Sequence, residues 1–153
     1  MNKPLNGVRI LDLTHMLSGP YGAMILADLG AETIKVEPLH GEGTRKLLAK
    51  DPENSLDGMG AYYITLNRNK QSVAIDLKSE DGKQVFYDLV READVVISNF
   101  GVGVPERLGV DYDTLAAINP RNITCTVTGF GSDGPNPKRP AFDQVAQAMG
   151  GGM

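Results

Sequence analysis

The stretch over residues 8–30, VRILDLTHMLSGPYGAMILADLG, constrains this chain more than any other. An apolar run at 8–13 predicts a buried strand, and a polar loop at 14–18 follows it. A helix is then opened by Gly19-Pro20 and closed by Gly30. Proline at a first helical position has no donor to lose, and glycine just past the end takes the left-handed cap. A second strand, ETIKV at 32–36, comes one helix later, which predicts a right-handed parallel crossover. Tyr21, Met24, Ile25 and Leu29 recur at helical spacing and are expected to face the sheet. In open α/β sheets ligands bind at the carboxyl ends of the strands, so Thr14, His15, Met16, Leu17 and Ser18 are the first site candidates.

The alternation continues. Residues 39–60 carry no clear periodicity, and so long an irregular stretch in a compact domain is often functional. Short apolar runs at 62–66 and 72–77 predict strands around a polar turn. Ser79 is a suitable N-cap for a helix burying Val85, Phe86, Leu89 and Val90. A strand at 94–98 ends in Asn99-Phe100-Gly101. A helical turn at 105–109 and a short helix at 111–118, stopped before Pro120, lead to a strand at 123–127. The glycine-rich GFGSDGP loop follows, then a helix from about Ala141 with Phe142, Val145, Ala146 and Met149 on one face. This order predicts one α/β domain over residues 1–153 with a mostly parallel sheet, flanking helices and three loops gathered on one edge.

A net charge of −4 gives no electrostatic reason to expect nucleic acid or a membrane surface as partner. Cys125 is the only cysteine and lies in a strand-like run, which predicts a buried, reduced thiol and no metal cluster. MNKPLNG lacks an apolar leader core and no run approaches the ~18 apolar residues of a membrane span. The cytoplasm is therefore the expected compartment.

The first loop reads THMLSGPYG and lacks the G-x-G-x-x-G of a dinucleotide site, so Glu37 alone does not make a ribose acid. No P-loop, zinc spacing or nucleophile elbow is present. His15 can act as acid, base or donor to a phosphate or carbonyl. Arg45, Arg68, Lys70, Lys138 and Arg139 read as solvated cations, whereas Arg107 follows the Asn99-Phe100 loop and is the better phosphate candidate. Asp143 reads first as a helix-start carboxylate favoured by the dipole. The residues alone reach an α/β domain for an anionic small molecule, without a reaction.

Six segments in order, VRILDLTHMLSGP, LADLGAETIKVE, NRNKQSVAIDLK, ADVVISNFGVGVPERLGVDYDTLAAINP, GFGSDGP and RPAFDQVAQAMGG, resemble the family III CoA-transferases, which include formyl-CoA, carnitine and succinyl-CoA transferases and α-methylacyl-CoA racemases. The resemblance implies the amino-terminal, Rossmann-like CoA-binding part of a longer enzyme whose two subunits interlock. Coenzyme A or acyl-CoA would be a substrate and a small carboxylic acid the acceptor, with no tightly bound cofactor. Carried over by motif, His15, Met16, Leu17 and Ser18 would line the pocket near the thioester, and Ile75, Asn99, Phe100, Arg107 and Leu108 would hold adenine and phosphates.

In such transferases an aspartate carboxylate attacks the thioester to give a mixed anhydride, the CoA thiolate returns to form an aspartyl-CoA thioester, and the acceptor acid takes the CoA. That aspartate is expected in a Gly-Asp pair after Met153, so the 153 residues are expected to be a truncated portion without turnover of its own. His15, Leu17 and Asp143 would lie near the reacting centre. The racemases carry a proton-transfer histidine where this chain has Phe142, and phenylalanine cannot move a proton, so a racemase-like enzyme stands behind the transferase as an alternative, as does a stand-alone CoA-binding module. The formyl-CoA enzyme carries a glutamine at the place of Leu17, which argues against oxalate and formate.

Overall fold

Strand β1 (Arg9–Asp12) is the centre of a five-stranded sheet, with β2 (Glu32–Glu37) and β5 (Lys70–Ala74) on one side and β6 (Val95–Ser98) and β7 (Ile123–Thr126) on the other. Every pairing is parallel, so the order β5-β2-β1-β6-β7 is a doubly wound, Rossmann-like arrangement whose direction of winding reverses beside β1. The computed structural model describes residues 3–152. Met1, Asn2 and Met153, the ends of the expected 1–153 domain, lie outside the described residues.

Helix α1 (Ser18–Asp28) covers one face, and Ile10, Ala23, Ala31 and Ile97 pack together beneath it. Helices α3 (Glu80–Arg91) and α5 (Tyr112–Ile118) cover the other, over Leu11, Val36, Phe86, Val90, Val96 and Leu115. Adjacent residues Ile10 and Leu11 thus enter opposite cores, as the period-two geometry of a strand buried on both faces requires. The caps are local. Ser79 accepts from the Gly82 N–H and Asp111 from the Thr114 N–H, while Gly30 turns the chain after α1 at φ +107°.

Several expectations are corrected. In α1 the buried residues are Gly19, Pro20, Ala23, Met24 and Ala27; Tyr21, Ile25 and Leu29 are exposed. The small residues let the helix lie close to the sheet: a Cβ on Gly19 would sit 2.5 Å from Cβ of Thr14. The 62–66 run is helix α2 (Ala61–Leu66), not a strand, because Tyr63 and Leu66 at helical spacing are its buried pair. Strand β5 is shifted towards the amino terminus of the 72–77 run. Val85 is exposed, leaving Phe86 and Val90 as the buried stripe of α3. Cys125 is exposed because β7 is the sheet's edge and lacks a covering layer on its outer side.

Residues 39–60 hold a 3₁₀ turn (Gly43–Lys46) and a short antiparallel hairpin of β3 (Ser55–Leu56) and β4 (Met59–Gly60). Helix α4 (Val104–Leu108) and helix α6 (Asp143–Met149) complete the chain. Phe142 and Met149 of the last segment are exposed.

Beside Ile10, the α1-side face of β1, β2 and β5 carries polar and charged groups. Asp12, Thr33, Lys35 and Glu37 are all buried there, and Lys70 on β5 forms a 2.8 Å ion pair with Asp12 in which both side chains are almost wholly enclosed. Removing one partner of such a pair strands the other, at a cost of about 3–5 kcal/mol. Asp12→Ala is therefore expected to lower unfolding stability by about 3–5 kcal/mol in urea titrations. Arg9→Ala, which opens the exposed Arg9–Glu32 pair, is expected to cost less than about 1 kcal/mol.

Candidate functional site

The loop between β1 and α1 is fastened by side chains at the backbone of Thr14, His15 and Met16. Asp12 accepts from both the N–H (2.9 Å) and the hydroxyl of Thr14, and Lys35 Nζ donates to the Thr14 carbonyl at 2.7 Å. His15 and Asn99 pair reciprocally: the His15 N–H donates to Oδ1 of Asn99, and Nδ2 of Asn99 donates to the His15 carbonyl, each at 2.8 Å. Asn99 follows β6, so this pair ties together the carboxyl ends of the two strands flanking the reversal of winding. That crevice is where an open α/β sheet presents its ligand site.

A cavity of about 140 Å³ opens at the same edge, lined by Leu13, Val36, Pro38, Ile75, Leu77, Phe100 and Leu108, with His15, Glu37, Asp76 and Lys78 as its polar members. The His15 and Phe100 rings stand 5.5 Å apart at 51°. An apolar cavity rimmed by a few polar groups suits a heteroaromatic ring. Of the residues expected from sequence, the fold brings His15, Ile75, Phe100 and Leu108 together in this wall, with Asn99 holding His15 behind it. Met16, Leu17 and Ser18 form an exposed crest beside it. Arg107 is exposed on α4, one residue before Leu108. Asp143 does not reach the cavity; its carboxylate accepts from Gln147 on its own helix, and the GFGSDGP loop is exposed away from the lining.

Asp76 and Lys78 were missed. They follow β5 at its carboxyl end, and the misplaced end of that strand hid their position. Arg45 and Lys70, expected as solvated cations, are instead engaged. Arg45 donates from Nε to Oε2 of Glu37 at 2.7 Å and from its terminal nitrogen to Oε1 at 2.6 Å, with its guanidinium 4.0 Å over the Tyr63 ring. Tyr63 and Ser72 hydroxyls donate to the same carboxylate. Glu37 is thereby spent within the protein and is not free to hold a ribose.

Burial drives the Glu37 carboxyl up, but hydrogen bonds from Arg45, Ser72, the Glu42 N–H and Tyr63 outweigh it and hold its pKa at about 2. Burial and the Glu37 carboxylate push the Tyr63 phenol up. Burial lowers the Lys70 ammonium, which Asp12 partly restores. Burial, assisted by Lys35, lowers His15 below its ordinary value against the opposing pull of Glu42, Asp12 and Glu37. At neutral pH His15 is thus an uncharged imidazole able to donate or accept at a ligand. Among the described residues no cluster of His, Cys, Asp and Glu could hold a metal ion, and no helix is long and apolar enough to cross a membrane.

The model of CoA-transferase family III matches residues 5–153. The chain belongs to CoA-transferase family III. It is 46% identical over 98% of its length to an acetyl-CoA:oxalate CoA-transferase of Acetobacter aceti, of which it covers 38%. It is 43% identical over 99% of its length to a formyl-CoA:oxalate CoA-transferase of Streptomyces coelicolor, of which it covers 36%. A CaiB/BaiF family protein from Brucella suis superposes with a TM-score of 0.91 at 42% identity, over 99% of this chain and 40% of that one. The chain therefore spans well under half the length of these family III relatives.

The depressed Glu37 carboxyl stabilises the fold above the ordinary carboxyl range, near 4.5, and that contribution is lost as pH falls through about 2. Arg45→Ala removes the cation and leaves burial to raise Glu37. Its destabilisation relative to the parent, measured by urea unfolding, is expected to be largest near neutrality and to shrink as pH falls from about 4 towards about 2.

Proposed function

We propose that this chain is the amino-terminal CoA-binding part of an enzyme that moves CoA between an acyl-CoA donor and a carboxylic acid, by way of an aspartyl intermediate whose aspartate follows Met153. The observation that carries the reading is the cavity at the reversal of winding, walled by His15, Ile75, Phe100 and Leu108. In this reading Phe100, Ile75 and Leu108 hold the adenine by stacking and apolar contact, and Arg107 and Lys78 neutralise phosphates from the rim. The pantetheine runs to His15 and the 16–18 crest, where uncharged His15 donates to the thioester carbonyl and stabilises charge developing on its oxygen. Met16, Leu17 and Ser18 enclose the reacting group, and Asp143 approaches it only when further chain completes the site.

The relatives' names pair acyl-CoA with oxalate, and others in the family are named for succinate and glutarate. A small dicarboxylate is accordingly the proposed class of acceptor, and Leu17 leaves its contacts to residues elsewhere. The enzyme would work in the cytoplasm as an interlocked homodimer, with CoA passing through as substrate and no resident cofactor.

Two measurements test this. The 153 residues alone are expected to bind CoA weakly by calorimetry and to show no transfer between acyl-CoA and dicarboxylates, whereas the full-length gene product should transfer and should carry an aspartate in a Gly-Asp pair after Met153. Turnover by the 153 residues alone, or a full-length sequence without that aspartate, overturns the proposal. In the full-length protein Phe100→Ala should weaken CoA binding about tenfold through loss of ring stacking.

A further inference from the structure

The geometry points to Glu42 as the positioning residue of the 16–18 crest, an inference that rests on the CoA-transferase reading above. Glu42 is buried, at 2% exposure, although it belongs to the irregular 39–60 segment. Its Oε1 accepts the Met16 N–H at 3.2 Å, and its Oε2 accepts the Thr44 hydroxyl. Its own N–H donates to Oε2 of Glu37 at 2.8 Å, so Glu42 is itself held by the carboxylate that Arg45, Tyr63 and Ser72 fix.

Three features separate this contact from the other fastenings of the loop. Asp12, Lys35 and Asn99 reach the loop from strands or strand ends, whereas Glu42 reaches it across 26 residues from outside the sheet. Met16 stands at φ +69°, a left-handed conformation that a residue with a Cβ keeps only when its surroundings hold it. The Met16 and Leu17 side chains are about half exposed, at 52% and 48%, so packing holds the crest only in part and the Met16 N–H is its side-chain hydrogen bond to the body of the fold. A carboxylate accepting a backbone N–H makes a charge-assisted bond stronger than a neutral one. Glu42 thus sets where the crest stands relative to His15, and acts on the thioester end of the ligand rather than on the adenine slot, whose lining it does not join.

The test uses the full-length enzyme, assaying transfer from an acyl-CoA to a dicarboxylate. Glu42→Ala is expected to lower kcat about tenfold or more while the KM for acyl-CoA stays within about threefold, since the lost positioning is felt at the reacting carbonyl. Glu42→Gln keeps an acceptor oxygen for the Met16 N–H and should restore kcat to within about threefold of the parent. Glu53→Ala removes an exposed carboxylate of the same segment and should leave both constants unchanged. A Glu42→Ala enzyme with kcat within about twofold of the parent, or a Glu42→Gln enzyme as impaired as Glu42→Ala, overturns the proposal. If Glu42→Ala does not fold, Glu42→Asp replaces it: the carboxylate is drawn back by one methylene, so low kcat beside an active Glu42→Gln supports the role, and parent-like kcat overturns it.

Absence of transfer in the parent enzyme would defeat the functional reading without touching the clamp. Amide hydrogen exchange at Met16 then decides the clamp, with slow exchange in the parent and fast exchange in Glu42→Gly or Glu42→Ala supporting it, and equal rates overturning it.

Discussion

The rest of this structure depends on charge buried on one face of its sheet. Asp12, Lys35, Glu37 and Lys70 lie on the α1 side of three adjacent parallel strands, where an α/β protein ordinarily places aliphatic side chains. Ions removed from water must be paired and hydrogen-bonded, and in this chain the partners come from everywhere nearby. Lys70 Nζ reaches Asp12, the Pro20 carbonyl and Asn67; Lys35 reaches the Thr14 carbonyl; Glu37 collects Arg45, Tyr63, Ser72 and the Glu42 N–H. Satisfying the charges is the same act as shaping the loop above them.

That coupling explains the form of the candidate site. Beyond the buried Leu13 and Thr14, the loop after β1 turns the side chains of Met16, Leu17 and Ser18 to solvent. It is instead held through its backbone, by Asp12 and Lys35 from beneath, by Asn99 from the neighbouring strand end, and by Glu42 from the excursion. A loop fixed by its backbone keeps its side chains free for a ligand, while the polar groups that hold it are shielded from water and correspondingly strong. His15 benefits twice. Its main chain is pinned by Asn99, and its ring, set against Phe100 and near Lys35, stays uncharged.

How much of this could be read in advance follows from which residues carry local signals. The 8–30 unit was legible because Pro20 suits a first helical turn and Gly30 the left-handed turn after a helix, although α1 begins at Ser18, two residues ahead of the proline, where the missing N–H still costs no intrahelical bond. His15 and Phe100 of the cavity wall were legible because carboxyl ends of parallel strands must share an edge, whereas Leu108, on α4, followed only from the family resemblance. Tyr63 was misplaced because YYITL is rich in strand-favouring residues, and only its need to reach Glu37 and pack beside Leu66 makes it helical. The buried face of α1 was misassigned because large apolar residues draw attention, while close approach to the sheet selects Gly19, Ala23 and Ala27.

Composition and punctuation in the sequence by themselves determined the α/β class, the parallel winding and the edge that holds the candidate site, since each rests on local periodicity or on residues with one conformational use, and motif order carried the CoA-transferase resemblance. Only the tertiary structure decided the burial of ETIKVE on both faces. Its alternation of Ile34 and Val36 with Thr33, Lys35 and Glu37 reads as a strand half open to water. Arg45, Tyr63 and Ser72, distant in sequence, are what permit the Glu37 end of its charged face to close, and no local pattern announces a partner supplied by another element.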